Sequence, residues 1–143
     1  MFVKKNQVKS TFGRKKRKSS KSALPAIGTL RNRADKICTP LIAKLHPRCL
    51  LCGQPTQVAH QFIHKSVSSR LRYDTDNLIP LCHKDHQALH HDESFYAARI
   101  IQIKGLEWSQ SLLSRKVELV KTDRQFYLDA IKKLEDILYG QDN

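Results

Sequence analysis

Three cysteines constrain this chain more than any other feature. Cys49 and Cys52 form a Cys-x2-Cys pair followed by Gly53, and Cys82 belongs to a second cluster, LCHKDHQALHH, at residues 81–91. A Cys-x2-Cys pair before glycine is the spacing at which a tight knuckle turns two thiolates toward one ion. Zinc favours four ligands in a tetrahedron, most often Cys and His. Three thiolates are in place, and the fourth ligand is open between Asp85, at the spacing of a second Cys-x2-Cys pair, and His86, the more usual donor beside thiolates. Such a site contributes on the order of 10 kcal/mol, and that binding energy is folding energy. The fold must therefore bring residues 49–52 and residue 82 together.

The segments between and around the thiols say how. Between Cys49 and Cys82 helical periodicity disappears; QVAHQFI and NLIPL read as two strands, HKSVSSRLRYDTD as a polar connection, and the whole as a twisted hairpin. Helical spacing dominates elsewhere. Leu30, Ala34, Ile37, Leu41 and Leu45 recur at helical intervals, with Pro40 expected to interrupt or kink the run. Residues 83–91 form a short helix, residues 95–104 another that stops at Gly105, and residues 106–120 and 123–139 are amphipathic. Thr122 or Asp123 caps the last, whose Tyr127, Ile131, Leu134 and Leu138 share a face. These stripes, Trp108 included, read as core or dimer contacts. Cys38 has no partner at ligand spacing and reads as a small buried side chain.

The formal charge of +13 over 143 residues is a tail. Residues 1–33 carry eleven Lys/Arg and no Asp/Glu, which leaves the remainder near balance. Residues 1–22 lack the apolar surface needed to offset ordering entropy, so they are expected to be disordered and to act as a DNA-binding arm. Arg14, Lys15, Lys16, Arg17 and Lys18 are its densest part. Such an arm releases counterions from phosphates, which gives affinity and steep salt dependence but little sequence choice. Residues 23–143 form one domain. No membrane span or apolar signal-peptide core is present in the sequence, so an intracellular protein with reduced thiols is expected.

Six of seven histidines lie between His60 and His91. His86 and His90 share a helix face, and an alternating strand would put His60 and His64 on one face. A hairpin packed on a helix brings the two faces together. His83 and His91 read as solvated helix-end residues.

CLLCG, AHQFIHKSVSSRLRYDTDNLIPLC and HQALHH together resemble the HNH, or ββα-metal, nucleases, particularly the phage NinG/Ref-like recombination nucleases. The likeness runs from about residue 30 to residue 108, and Arg72-Tyr73-Asp74 ahead of Asn77-Leu78 and Leu81-Cys82 makes it more specific than a lone HNH pattern. It implies an α+β fold with a ββα-metal core, a zinc knuckle and surrounding helices. It also implies a metal-dependent DNA endonuclease of low sequence specificity, acting in phage recombination or DNA processing inside a bacterial cell, with a recombinase or another DNA-processing protein as a further partner. Carried over by position, His60 would be the general base, Asn77 the amide that fixes the hairpin, His86 the ligand of a catalytic Mg²⁺, Mn²⁺, Ni²⁺ or Zn²⁺, and Arg72 a phosphate contact. Asp85 stands where the family's fourth zinc cysteine would be. In a swapped arrangement, Cys49, Cys52, Cys82 and His86 hold structural Zn²⁺ and His90 takes the catalytic ion. In another register the base position is Gln61, which accepts no proton, and His64 would have to substitute. Gln61 thus favours the alternative of a catalytically impaired, zinc-containing nucleic-acid-binding module. A third alternative is an accessory protein whose C-terminal helices dock on a DNA-processing machine.

Overall fold

The computed structural model describes residues 23–140. The basic arm, with Arg14, Lys15, Lys16, Arg17 and Lys18, lies outside the described residues. The fold is α+β, with five helices and a two-stranded antiparallel sheet among the described residues.

Helix α1, Ile27–Leu45, buries Leu30, Ala34, Cys38, Leu41 and Ile42 on one face. It runs through Pro40 without the expected interruption. A proline inside a helix costs about 3 kcal/mol, and each large apolar side chain buried on this face returns about 1.5–3 kcal/mol, so packing wins. The partner is α5, Arg124–Tyr139, which buries Tyr127, Ile131 and Leu134 against α1 with Leu138 partly covered. Asp123 is its cap: the carboxylate accepts the Phe126 N–H at 3.0 Å. Cys38 donates its thiol to the Ala34 carbonyl, and burial pushes that thiol up to about 12, which suits a packing residue.

Strands β1, Val58–Gln61, and β2, Leu78–Leu81, pair with Val58 opposite Leu81 and Gln61 opposite Leu78. Every residue of β2 is buried. Alternation sends Leu78 into the α1–α5 core, while Ile79 and Leu81 join Cys49, Cys82, Leu89 and Ile100 in a second core. One strand thereby ties the helical layer to the cysteines. Both strands are shorter than expected, and β1 ends before His64.

The connection between the strands is less polar in structure than in sequence. It buries Ile63, Leu71 and Tyr73, the first two against Leu112. After β2 come α2, His83–His91, and α3, Glu93–Lys104, which starts at the Asp92 cap and ends at Gly105 with φ of +99°. Helix α4, Leu106–Lys116, stops short of residue 120; Leu119 beyond it is fully exposed and has no core to enter. Trp108 donates its indole N–H to the Asp76 carbonyl at 3.0 Å and packs on Phe62. Arg115 bonds Asp74 and Asp76, so α4 clamps the strand connection.

Candidate metal centres

The knuckle forms as the spacing predicts. Gly53, with φ of +74°, donates its N–H to the Cys49 carbonyl at 2.9 Å, a turn that an L side chain would strain. The Leu50 N–H reaches the Pro80 carbonyl at 2.9 Å and fastens the knuckle to β2. Cys82 caps α2, its sulfur accepting the Asp85 N–H at 3.4 Å. Cys49, Cys52, Cys82 and Asp85 then offer four ligand atoms within 4.8 Å of one another, a group that can hold a metal ion such as zinc.

The spacings fit that donor set. Two sulfurs about 2.3 Å from one tetrahedral ion stand about 3.8 Å apart, and a sulfur and a carboxylate oxygen about 3.5 Å. Cys52 Sγ and Cys82 Sγ are separated by 3.6 Å, and Asp85 Oδ2 lies 3.1 Å from Cys49 Sγ and 3.3 Å from Cys82 Sγ. Hydrogen bonding to Asp85 pushes the exposed Cys52 thiol up to about 12. In return, the hydrogen bond from Cys52, together with those from Cys49 and Cys82, holds the Asp85 carboxyl below its usual range against partial burial. Proton sharing of this kind marks donors that a cation would take over. The open fourth position thus falls to Asp85, and the swap that gives His86 to the thiolates does not match the geometry.

His86 belongs to a second cluster. Its Nε2 lies 3.2 Å from His90 Nε2, and the His60 ring centroid is 5.3 Å from that of His86 and 6.1 Å from that of His90. Two nitrogens about 2.1 Å from one ion are about 3.0 Å apart at a right angle and about 3.4 Å at the tetrahedral angle, a range that brackets the His86–His90 spacing. Burial, then the neighbouring charges of His86, His90 and His64, push His60 down to about 4. Burial, then His90 and His83, also lowers His86. Both rings present unprotonated nitrogen at neutral pH, the form that binds metal.

A cavity of about 320 Å³ opens beside these rings, lined by His60, Gln61, His64, Lys65, His86 and His90 on one side and by Asp35, Cys38 and Thr39 of α1 on another. Asn77 sits behind the strands, fully buried. Its amide accepts the Ile63 N–H at 2.7 Å and donates to the Ile63 and Leu71 carbonyls at 2.9 and 3.1 Å. These are cross-loop bonds, away from the cavity.

Arg72, expected at a phosphate, is occupied elsewhere. Its guanidinium grips Asp35 through two bonds of 3.0 and 2.6 Å, lies over the Tyr73 ring, and is only 13% exposed. Tyr73 adds a hydroxyl bond of 3.1 Å to the same carboxylate. Burial works to raise the Asp35 carboxyl, but the Arg72 bond and charge, with Tyr73 and Lys65, hold it below its usual range. Asp35 escaped the sequence reading because its partner lies 37 residues away. The available signal was its place one turn before Cys38 and Thr39 on α1. His83 and His91 are exposed at the two ends of α2.

No protein-family model matches this chain, and no curated protein or solved structure is significantly similar to it. Among the described residues, no helix is long and apolar enough to cross a membrane.

Proposed function

We propose that this protein is a metal-dependent DNA endonuclease of the ββα-metal, or HNH, type, with low sequence specificity and a role in DNA recombination or processing. The observation that carries the reading is the meeting of His60 from β1 with His86 and His90 from α2 at an open cavity, one helix turn beyond a Cys3Asp cluster. A divalent cation held by His86 and His90 would supply Lewis acidity toward phosphate and help activate water. His60, buried beside the helix imidazoles and held unprotonated at neutral pH, serves as the base that takes a proton from water.

The rest of the chain orients these donors. The Cys49–Cys52–Cys82–Asp85 set, loaded with structural zinc, pins the first turn of α2 to the knuckle and so fixes the direction in which His86 and His90 project. Asn77 fixes the strand connection from behind. The basic arm contributes affinity for phosphates without reading bases.

A specific observation favours a second reading, that of a nucleic-acid-binding zinc module. Gln61 follows His60 on β1, and both ends of its amide are engaged, Nε2 with the Arg72 carbonyl and Oε1 with the Lys65 N–H, so it takes no proton from water. Plasmid nicking decides between the two. Wild-type protein nicks supercoiled plasmid with at least one of Mg²⁺, Mn²⁺, Ni²⁺ or Zn²⁺, and His60→Ala and His86→Ala each lower the rate by two orders of magnitude or more while zinc content and DNA binding persist. Wild-type protein that binds DNA yet is inert with all four metals establishes the binding module instead.

A further inference from the structure

Gln61 anchors a turn that carries another imidazole. With Lys65 N–H bound to Gln61, the Val67 and Ser68 N–H groups both reach the His64 carbonyl, at 2.8 and 3.2 Å. His64 projects from this turn, exposed, and lines the same cavity as His60, His86 and His90. Its Nδ1 lies 2.7 Å from Ser66 Oγ and accepts the Ser66 backbone N–H at 3.2 Å. A backbone N–H can only donate, so Nδ1 contributes its lone pair, and the Ser66 hydroxyl donates to the same atom. A neutral imidazole with an unprotonated Nδ1 carries its proton on Nε2. The second ring nitrogen is therefore an N–H donor and not a lone pair.

We propose that His64 is a phosphate-contacting residue, donating its Nε2–H to a non-bridging oxygen of the bound phosphodiester, and that it is not the base that deprotonates water. The proposal rests on the nuclease reading for its substrate and deepens it. A fixed N–H aimed at phosphate oxygen costs no reorganisation when negative charge develops there. Gln61, in this view, acts through His64: it is a positioning residue for the turn.

Two measurements on the zinc-loaded full chain test this. Long-range ¹H–¹⁵N correlation of the histidine rings reads the tautomer directly, and the expected pattern for neutral His64 is the Nε2–H form. An Nδ1–H pattern overturns the proposal. The second compares His64→Gln with His64→Ala, because a glutamine amide places an N–H near the position of imidazole Nε2 but accepts no proton at neutral pH. Binding of a phosphorothioate trinucleotide is followed at about 0.3 M salt, where the arm's counterion-release contribution is suppressed. His64→Ala is expected to weaken binding or nicking by roughly 10- to 100-fold, the cost of a hydrogen bond to a charged group, and His64→Gln to stay within a few-fold of wild type. Unchanged binding and nicking in His64→Ala overturns the proposal. So does a His64→Gln variant as slow as His64→Ala that has also lost a limb of the pH–rate profile, the signature of a missing base. If wild type cuts nothing, the nuclease reading falls, while the tautomer and trinucleotide results still decide the donor role.

Discussion

Replacing Asn77 with alanine tests whether the strand connection is held by one amide. The side chain is fully buried and makes three hydrogen bonds, accepting the Ile63 N–H and donating to the Ile63 and Leu71 carbonyls. Leu71's carbonyl also accepts the Asp74 N–H, so truncation orphans two groups, the N–H and the carbonyl of Ile63. Each buried unsatisfied group costs about 1–3 kcal/mol, so the loss is about 4 kcal/mol, with a small cavity in addition. A domain of ordinary stability has about 5–15 kcal/mol in total. With a urea m-value of about 2 kcal/mol/M, the midpoint falls by about 2 M. Urea melts of the zinc-loaded protein read the shift. Asn77→Asp is the stricter comparison: it keeps the acceptor for Ile63 but turns a buried negative charge toward two carbonyls, and it should be at least as unstable as the alanine variant. A loss under 1 kcal/mol for Asn77→Ala would refute the reasoning.

The Asp35 pair, the thiolate cluster and the basic arm set four further outcomes. Asp35→Ala strands the mostly buried Arg72 and should cost about 2–3 kcal/mol, less than a fully buried pair because Asp35 is 32% exposed on its side chain. Asp35's pKa is lower folded than unfolded, so its contribution is full above the unfolded value of about 3.9 and lost as pH falls through the folded value; melts from pH 6 downward should show wild type and Asp35→Asn converging only below about pH 4. Asp85→Cys should slow zinc loss to a chelator at least tenfold, measured by metal-indicator absorbance, because thiolate is the softer ligand; equal release rates would mean that Asp85 does not face the ion. Removing residues 1–22 should weaken DNA binding and flatten its salt dependence by about 0.9 in logarithmic slope for each phosphate the arm neutralises, and an unchanged slope would eliminate the arm as the affinity element.

The knuckle was legible because its information is local. Two thiols, a glycine and a third thiol at a helix start need only short-range geometry to converge. The fourth ligand was not, because it depends on where α2 begins. With Cys82 as the cap, Asp85 falls three residues into the helix, where its N–H meets the cysteine sulfur and its carboxylate sits over the thiols. His86 is a further ~100° around the axis and turns with His90 toward β1. One residue's shift in the cap would have exchanged their roles. The amphipathic face of α5 was legible for the opposite reason: four turns of periodic pattern tolerate errors at the ends. The interruption expected at Pro40 did not occur because the partner helix offsets its local cost, and Arg72 misled because a guanidinium near a candidate site looks the same in sequence whether it meets a phosphate or Asp35.

His64 shows how a residue can reach the expected neighbourhood by a different route. Strand alternation was to carry it onto the face of His60, but β1 ends at Gln61 and the pleat no longer governs the residues after it. The turn bound to Gln61 returns His64 to the cavity instead, and Ser66 sets the ring's proton. That difference has chemical content. A histidine oriented by a pleat can offer either nitrogen, whereas one held by a backbone N–H offers a donor. On the proposed reading, Gln61 next to His60 is the residue that aims a neighbouring N–H, which would leave activation of water to His60 and to a cation at His86 and His90. A nicking rate insensitive to Gln61→Ala would break this chain of dependence at its first link.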